Sequence, residues 1–471
     1  MRRSAVFSHL PFTIALPCLV TACMTGPNYA RPQMPTPAQY RFVEAPAQAE
    51  TLADAPWFQV FNDPVLQELI REAIANNLDL RAAAARVEEA RARAGIAASY
   101  LYPEIEGVSR YGLRQATRSG VDRLTGEEDT THQSGAYGFQ LSWELDLFGR
   151  IRREREAALA LVLASDQARR GVLVTLVGDV ASNYFLLREL DLQLDIARRT
   201  LGLNDETVLY FVNRLDGGVS NRLEVDRIRA NRALTAASIP EIEQQIAIVE
   251  NAVSLLLGRP PSPIPRDRID LDESVPPSIP PGLPASLLER RPDVLRAEQL
   301  LVAANADIGA AKARFFPTIS LTGFLGGVSG DVTTFLGGEG AVWSGGVGLL
   351  QPIFQGGRLR RNVEATEAVF NAALAEYQQA ALNGYREVSN TLVTIQKLAE
   401  IRLHQQDGVA ALQDASLLSR FRYDTGLANY VEILTADQDL FQQQLLLAQT
   451  RGAELRARAE LYRTLGGGWQ P

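Results

Sequence analysis

Residues that commonly carry enzyme or metal chemistry are scarce in this sequence. Its 471 residues include two cysteines and three histidines, and both cysteines lie within the first 25 residues. Of the later histidines, His132 lies in a polar loop and His404 in a helical segment, so no cluster of metal ligands is available. The glycines between 337 and 348 match neither phosphate-loop nor dinucleotide-binding spacing. We therefore expect no enzyme activity, no metal and no cofactor.

One residue does have a pattern typical of covalent modification. Cys23 ends the sequence Val-Thr-Ala-Cys, which follows a basic start, Arg2 and Arg3, and an apolar run from Leu10 to Leu19. This order is typical of bacterial signal peptides. It resembles the lipoprotein type, in which the cysteine is acylated and becomes the mature N-terminus. Several acyl chains, at about 0.8 kcal/mol per buried methylene, would anchor the protein permanently. An ordinary secretory signal with an incidental cysteine is the alternative.

The remainder of the chain contains an internal duplication. The segment Leu287–Gly323 matches Asn77–Gly107 at an offset of 214 residues. Two further blocks match downstream in the same order, and a repeat of this kind decides the fold before any other argument. The matched pairs are Asp79 and Asp293, Pro103 and Pro317, Phe148 and Phe354, Gly218 and Gly426, Asn221 and Asn429, and Glu224 and Glu432.

Each copy has the same order of predicted elements: a helix, a β-hairpin, a very long helix and a second helix. Apolar residues recur at helical spacing from Pro64 to Tyr100 and predict one continuous helix of about 37 residues. No proline interrupts Arg150 to Asn213, so we expect a helix of roughly 64 residues, about 95 Å long. Gly218 and Gly426 are predicted to end the long helices and to reverse the chain.

These elements give an α+β protein with six segments. They are a signal peptide (1–22), an extended N-terminal strap (23–63), repeat 1 (64–257) with its hairpin at 104–149, a proline-rich linker (258–286), repeat 2 (287–465) with its hairpin at 317–355, and a C-terminal tail (466–471).

The hairpins have the pattern of strands with one apolar face. Six apolar residues from Tyr137 to Leu147 alternate with small or polar ones. In a soluble sandwich this face would pack against a second sheet, whereas in a membrane barrel it would meet lipid. No later segment reaches the roughly 18 to 20 apolar residues of a membrane-spanning helix. Four strands are too few to close a membrane barrel, so closure would require several copies.

Nearly the whole mature sequence resembles the TolC-type outer-membrane efflux factor family. The Arg-Arg-Pro-Asp sequence at 290–293, Ala-Ala-Asn-Ala at 303–306 and Phe316-Pro317 are specific to it. Cys23–Pro32 resembles the mature start of its lipoprotein branch, which serves multidrug pumps of the resistance-nodulation-division type. The resemblance implies a homotrimer in which twelve strands, four per chain, form an outer-membrane β-barrel. A long α-helical tunnel would continue the barrel through the periplasm.

The same resemblance implies a passive exit duct for drugs or other small toxic molecules in a tripartite efflux system. Its partners would be a periplasmic adaptor protein, an inner-membrane pump and outer-membrane lipid. The net charge of −8 argues against a nucleic-acid partner. Met24, following Cys23, favours lipid anchoring in the bacterial outer membrane, by resemblance to lipoprotein sorting. Two other functions stay open: a duct for protein secretion, and a structural envelope lipoprotein without a pore.

The resemblance also implies a periplasmic gate near the glycine turns. Tyr423 falls on a gate tyrosine of the family, and Glu432 falls on a position that is often acidic. Thr435 departs from the family, because many members carry aspartate there, and Gln438 replaces a common arginine. The alternatives are a packing role for Tyr423, a solvated charge for Glu432 and simple C-caps at the turns. The helix-turn tips implied for adaptor docking are Gly218 and Gly426.

Overall fold

The computed structural model describes residues 24–40, 63–115, 131–266, 284–330 and 340–467. The expected signal peptide, Cys23, most of the proline-rich linker and the end of the tail lie outside the described residues. Within them the chain forms eight helices and four strands. In chain order these are α1 (Pro64–Asn76), α2 (Leu78–Ser99), β1 (Glu104–Gln115), β2 (Thr131–Leu145), α3 (Arg150–Asp216), α4 (Arg222–Leu256), α5 (Pro284–Arg290), α6 (Pro292–Ala313), β3 (Thr318–Ser329), β4 (Ala341–Leu350), α7 (Arg358–Asp424) and α8 (Tyr430–Thr464).

Three pairs of corresponding helices in the two copies have equal lengths. The pair α2 and α6 has 22 residues each, α3 and α7 have 67 each, and α4 and α8 have 35 each. Neither α3 nor α7 contains proline, so no ring removes a hydrogen bond or clashes with the preceding turn. The internal duplication predicted from the sequence is confirmed.

The helix before each hairpin is interrupted, so the prediction of one continuous helix from Pro64 to Tyr100 was wrong. Asn77 separates α1 from α2. Its backbone N–H donates to the Ala73 carbonyl (2.8 Å), and its side chain accepts from the Leu80 N–H (2.9 Å). An asparagine in this position caps the next helix by satisfying a donor that has no partner within the helix. In the second copy the interruption falls just before Pro292.

The described residues form two compact units. The first contains the described residues within 24–32, 88–163 and 299–375, and the second contains those within 33–87, 164–298 and 376–467. The sheet belongs to the first unit, whereas both glycine turns belong to the second. An apolar core of the second unit includes Tyr184, whose hydroxyl donates to an Asp63 carboxylate oxygen (2.7 Å).

The four strands form one antiparallel sheet in the order β1-β2-β3-β4. β2 pairs with β3 in a register that places Phe139 opposite Leu325, so the sheet joins the two copies. Phe139 (62 %), Leu325 (64 %) and Trp343 (80 %) are largely exposed. Apolar surface on this scale is typical of an interaction site. None of the described helices is both long and apolar enough to cross a membrane.

Candidate gate and helix-turn tips

Both long helices end in the same left-handed glycine turn. After α3, Gly218 has φ +74°, its N–H donates to the Leu215 carbonyl (2.9 Å), and the Val219 N–H donates to the Arg214 carbonyl (2.9 Å). After α7, Gly426 has φ +75° and the corresponding pair of hydrogen bonds. These Schellman motifs satisfy carbonyls at the helix end. A Cβ built on either glycine meets no neighbouring atom within 4 Å, so backbone conformation alone requires glycine there.

An asparagine begins the helix after each turn. Asn221 accepts from the Glu224 N–H (3.0 Å), and the Glu224 carboxylate accepts from the Asn221 N–H (3.5 Å) and from the Ser220 hydroxyl (2.6 Å). Asn221 and Glu224 thus form a capping box at the start of α4. Asn429 accepts from the Val431 N–H (3.0 Å) at the start of α8. Both reversals are therefore defined by hydrogen bonds between residues close in sequence.

Three aromatic rings from different helices meet beside these turns. The Phe211 ring lies 5.5 Å from the Tyr423 ring and 4.4 Å from the Tyr430 ring, measured between centroids, and Tyr423 and Tyr430 are 6.2 Å apart. Phe211 is 2 % exposed. Aromatic pairs at such separations add about 0.5–1.5 kcal/mol each beyond their buried area. This ring cluster joins the end of α3 to the end of α7 and the start of α8.

Arg214 completes the ring cluster with a positive charge. Its guanidinium carbon lies 5.5 Å from the ring centroids of both Tyr210 and Tyr423, and its Nη1 donates to the Tyr210 hydroxyl (2.9 Å). A cation over an aromatic face is attracted by the ring quadrupole. Burial raises the pKa of Tyr423, although Arg214 acts in the opposite direction. Tyr423 is therefore neutral at physiological pH.

The two other predicted gate residues lie further along α8. Glu432 is exposed and forms an ion pair with Arg422 (3.2 Å). Thr435 is exposed, one turn further on. Asp437 accepts from Arg420 (2.8 Å) and is thereby also paired. In the second copy, an ion-paired carboxylate therefore lies on each side of Thr435 along α8.

Amide side chains link α8 to the first copy. Gln438 Nε2 donates to Asn231 Oδ1 (2.9 Å), and Asn231 Nδ2 donates to Asn204 Oδ1 (3.4 Å). Asn204 in turn donates to the Thr235 hydroxyl (3.0 Å), and both of these residues are buried. At the position where the resemblance implies an arginine, this chain has a neutral series of hydrogen bonds that runs from α8 through α4 to α3.

The structure brings Tyr423 together with residues that the sequence did not single out. Arg214, Phe211 and Tyr430 surround it, whereas Glu432 and Thr435 lie outside the ring cluster. The repeat match does place Arg214 opposite Arg422, but their environments differ, because Arg214 stacks on tyrosines and Arg422 pairs with Glu432. All these contacts are non-covalent and reversible. No group of three His, Cys, Asp or Glu residues in the described ranges could hold a metal ion.

Comparison with known proteins assigns the chain to a family. The sequence pattern of the family described as outer membrane efflux protein matches residues 69–259 and 283–467. The chain belongs to the outer membrane efflux protein family. The two matched segments correspond closely to the two copies described above. The resemblance to TolC-type channels is confirmed, and the chain is an outer-membrane protein.

Members of this family are similar to the chain over nearly its full length. The cation efflux system protein CusC of Escherichia coli O6:H1 is 34 % identical over 463 residues, which are 98 % of this chain and 98 % of that protein. A toluene efflux pump outer membrane protein of Pseudomonas putida, TtgC, is 34 % identical over 461 residues, 96 % of this chain and 94 % of that protein. The solved structure of the outer-membrane channel OprN matches with a TM-score of 0.87 at 30 % identity, over 95 % of this chain and 100 % of that one.

Proposed function

We propose that the chain is the passive outer-membrane exit duct of a tripartite efflux system, working as a homotrimer with a periplasmic adaptor and an inner-membrane pump. The likeness to efflux proteins over almost the full length carries this proposal, since 98 % of the chain aligns with 98 % of CusC. Three copies would supply twelve strands for the membrane. The relatives are transport proteins, and we assign no enzymatic reaction to this chain.

The gate of the duct, in this proposal, is the ring cluster of Phe211, Tyr423 and Tyr430 with Arg214. It holds the ends of three helices together by reversible contacts, and separation of those ends would open the passage. Gly218 and Gly426 form the tips on which the adaptor docks. The Schellman geometry of both turns supports this role, because it gives a partner a fixed surface.

Lipid anchoring at Cys23 is the third part of the proposal. The sequence before Cys23 has the order of a lipoprotein signal peptide, and Met24 lies at the start of the described residues. Acylation would hold each copy at the inner face of the outer membrane. The exposed apolar side chains of the sheet argue against a structural lipoprotein without a pore, because a tether needs no lipid-facing strands.

The cargo class is open between two kinds of small molecule. CusC is a cation efflux protein and TtgC a toluene efflux protein, and both are 34 % identical to this chain. Sequence identity alone therefore favours neither cations nor toluene-like molecules as the cargo. Growth of a deletion strain on toluene and on a panel of heavy-metal cations separates the two classes.

Dye accumulation in the native host tests the proposed function directly. The strains are the wild type, the deletion mutant, and the deletion mutant carrying either the gene or an empty plasmid. We expect more fluorescent dye in the deletion strain, reversed by the gene and not by the empty plasmid. Unchanged dye in all four strains, with lower levels of exported proteins in the deletion mutant, would contradict drug efflux and support a duct for protein secretion.

A further inference from the structure

An open apolar groove of about 360 Å³ lies beside Met24. Its apolar lining comes from Leu159, Ala160 and Leu163 of α3 and from Val302 of α6. Polar side chains also border it, namely Arg152, Arg155 and Glu156 of α3 and Gln299 of α6. Leu159 (46 %) and Leu163 (53 %) are partly exposed to solvent in the single chain. Apolar surface of this kind gains stability when it is covered. The groove therefore has a free place for an apolar group at the position where the described chain begins.

Hydrogen bonds fix the backbone next to Met24. The Thr25 N–H donates to the Phe148 carbonyl (3.2 Å), and the Thr25 hydroxyl lies within hydrogen-bond distance of the Phe148 (3.0 Å) and Gly309 (3.1 Å) carbonyls. Arg153 Nε donates to the Thr25 carbonyl (3.1 Å). Thr25 thus forms hydrogen bonds with residues of both α3 and α6, which are the helices that line the groove.

The residues after Thr25 are held equally closely. Arg153 is 1 % exposed, and its Nη2 donates to Asn28 Oδ1 (2.9 Å). Gly26 has φ +88°, and a Cβ built on it would lie only 2.4 Å from the Gly309 Cα. Only glycine fits this backbone conformation and this close approach. We name Thr25–Asn28 with Arg153 the N-terminal clamp. It fixes the backbone from Thr25 to Asn28 beside the groove.

We propose that an acyl chain carried by Cys23 lies in this groove, against α3 and α6 of the same chain. Cys23 is one peptide bond from Met24, which itself lines the groove, so a chain attached to this residue starts at the groove. The apolar side chains of the lining match the methylenes of a fatty acid, and the charged ones stand at its border. Of the several acyl chains expected on Cys23, this one packs against the fold, and the others anchor the chain in the membrane. The inference rests on the lipid anchoring within the proposed function.

Photocrosslinking from the acyl chain tests this docking. Host cells grow on a fatty acid that carries a photoreactive diazirine, and the assembled protein is purified, irradiated, digested and mapped by mass spectrometry. We expect crosslinks from Cys23-borne chains to peptides that contain residues 155–163 or 299–302, with the product at the mass of a single chain. Crosslinks only to lipid or to a second copy would overturn the proposal, as would the absence of label on Cys23.

Charged substitutions in the groove provide a matched comparison. The double variant Leu159→Asp, Leu163→Asp places two carboxylates in the groove, whereas Leu161→Asp places one at a similarly exposed position (47 %) that does not line it. We expect the double variant to lower the crosslink yield in the groove at least fivefold, with Cys23 labelled as in the wild type. Leu161→Asp is expected to retain the yield.

A second variant and a second measurement show whether a negative result comes from loss of assembly, from loss of efflux or from an acyl chain that does not dock. If the double variant does not assemble, the single neutral change Leu163→Gln replaces it, with at least a twofold loss of yield expected. An undiminished groove yield in the groove variants would overturn the proposal. Dye accumulation in the same strains reports on efflux, so failure of the proposed function is seen separately from failure of the docked anchor.

Discussion

Tyr423 contributes to the tip through its ring. Its contacts with Phe211, Tyr430 and Arg214 all involve the aromatic face or edge. Two ring pairs and one cation–π contact sum to about 2 kcal/mol or slightly more. Because burial raises its pKa above the usual value of a phenol, the neutral form persists to high pH. Any stability linked to that neutral form is present below the unfolded pKa and is lost as the pH rises through the folded one.

Truncation of this ring is expected to open the gate. Tyr423→Ala removes contacts worth about 2 kcal/mol, so the open population should rise roughly 30-fold. Tyr423→Phe is the matched control, because it keeps the ring and the face under Arg214. Conductance of purified channels in planar bilayers measures both variants. If Tyr423→Ala conducts like the wild type, Tyr423 is a packing residue and not part of a gate.

Glu432 is expected to matter much less than Tyr423. Its ion pair with Arg422 is exposed, with about half of each side chain accessible, and such pairs contribute about 0–1 kcal/mol. Glu432→Gln should therefore change the open population less than about fivefold, at either low or high salt. The same bilayer recordings check this at two ionic strengths. A larger effect that vanishes in high salt would assign Glu432 a direct role in closure.

The glycine turns offer a prediction about the stability of the tips. Gly426→Ala forces a Cβ into a left-handed conformation and should destabilise the turn by about 1–2 kcal/mol. Gly426→Asn should be tolerated better, since asparagine adopts this conformation more readily. Hydrogen exchange of the amides around 420–432 measures the effect, with faster exchange expected for alanine. Equal protection in the wild type and the alanine variant would contradict it.

Gly202, inside α3, provides a control at which substitution by alanine is expected to have the opposite effect on stability. Gly202 lies inside the helix, and a Cβ built there meets nothing within 4 Å. Gly202→Ala should therefore stabilise the helix by about 0.5–1 kcal/mol, because alanine loses less backbone entropy. Slower exchange near residue 202, set beside faster exchange near residue 426, would separate a turn requirement from a general sensitivity to alanine.

The sequence predicted an element correctly where a single local signal determined it. The absence of proline predicted the long helices, and glycine in matched positions predicted both turns. The interruption at Asn77 was missed, although asparagine before an apolar helical segment is an N-cap signal, because the helical pattern continues on both sides of it. The N-terminal clamp was also missed, since Arg153 and Thr25 are 128 residues apart in sequence and no periodicity connects them.

The duplication explains why the two copies have the same elements. The candidate gate, in contrast, depends on side chains that differ in their contacts between the copies. Glu224 closes a capping box in the first copy, whereas its counterpart Glu432 turns to Arg422 in the second. Arg214 covers two tyrosine rings, and its counterpart Arg422 does not. Matching the copies in sequence finds these positions but not their partners, because those partners come from other helices. The ring cluster could therefore be located only in the folded chain.

In the proposed trimer, the charge of the residue at position 435 has an effect that it does not have in a single chain. The gate role that the resemblance implies for Thr435 would place its three copies around one passage in the proposed trimer, so any charge at this position would be present three times. The wild-type threonine is neutral, and the acids before and after it are paired: Glu432 with Arg422, and Asp437 with Arg420. We therefore expect the wild-type passage to bind multivalent cations weakly.

Thr435→Asp should convert this position into an acidic ring. Three carboxylates around one passage attract a trivalent cation together, and the concentration that halves the conductance should fall at least about tenfold, equivalent to roughly 1.4 kcal/mol. Thr435→Asn is the matched control, because it changes the side chain without adding charge. Titration of a trivalent cation into planar-bilayer recordings of all three proteins measures the shift. Equal block of the aspartate and asparagine variants would place Thr435 away from the passage and would contradict the gate role implied for it.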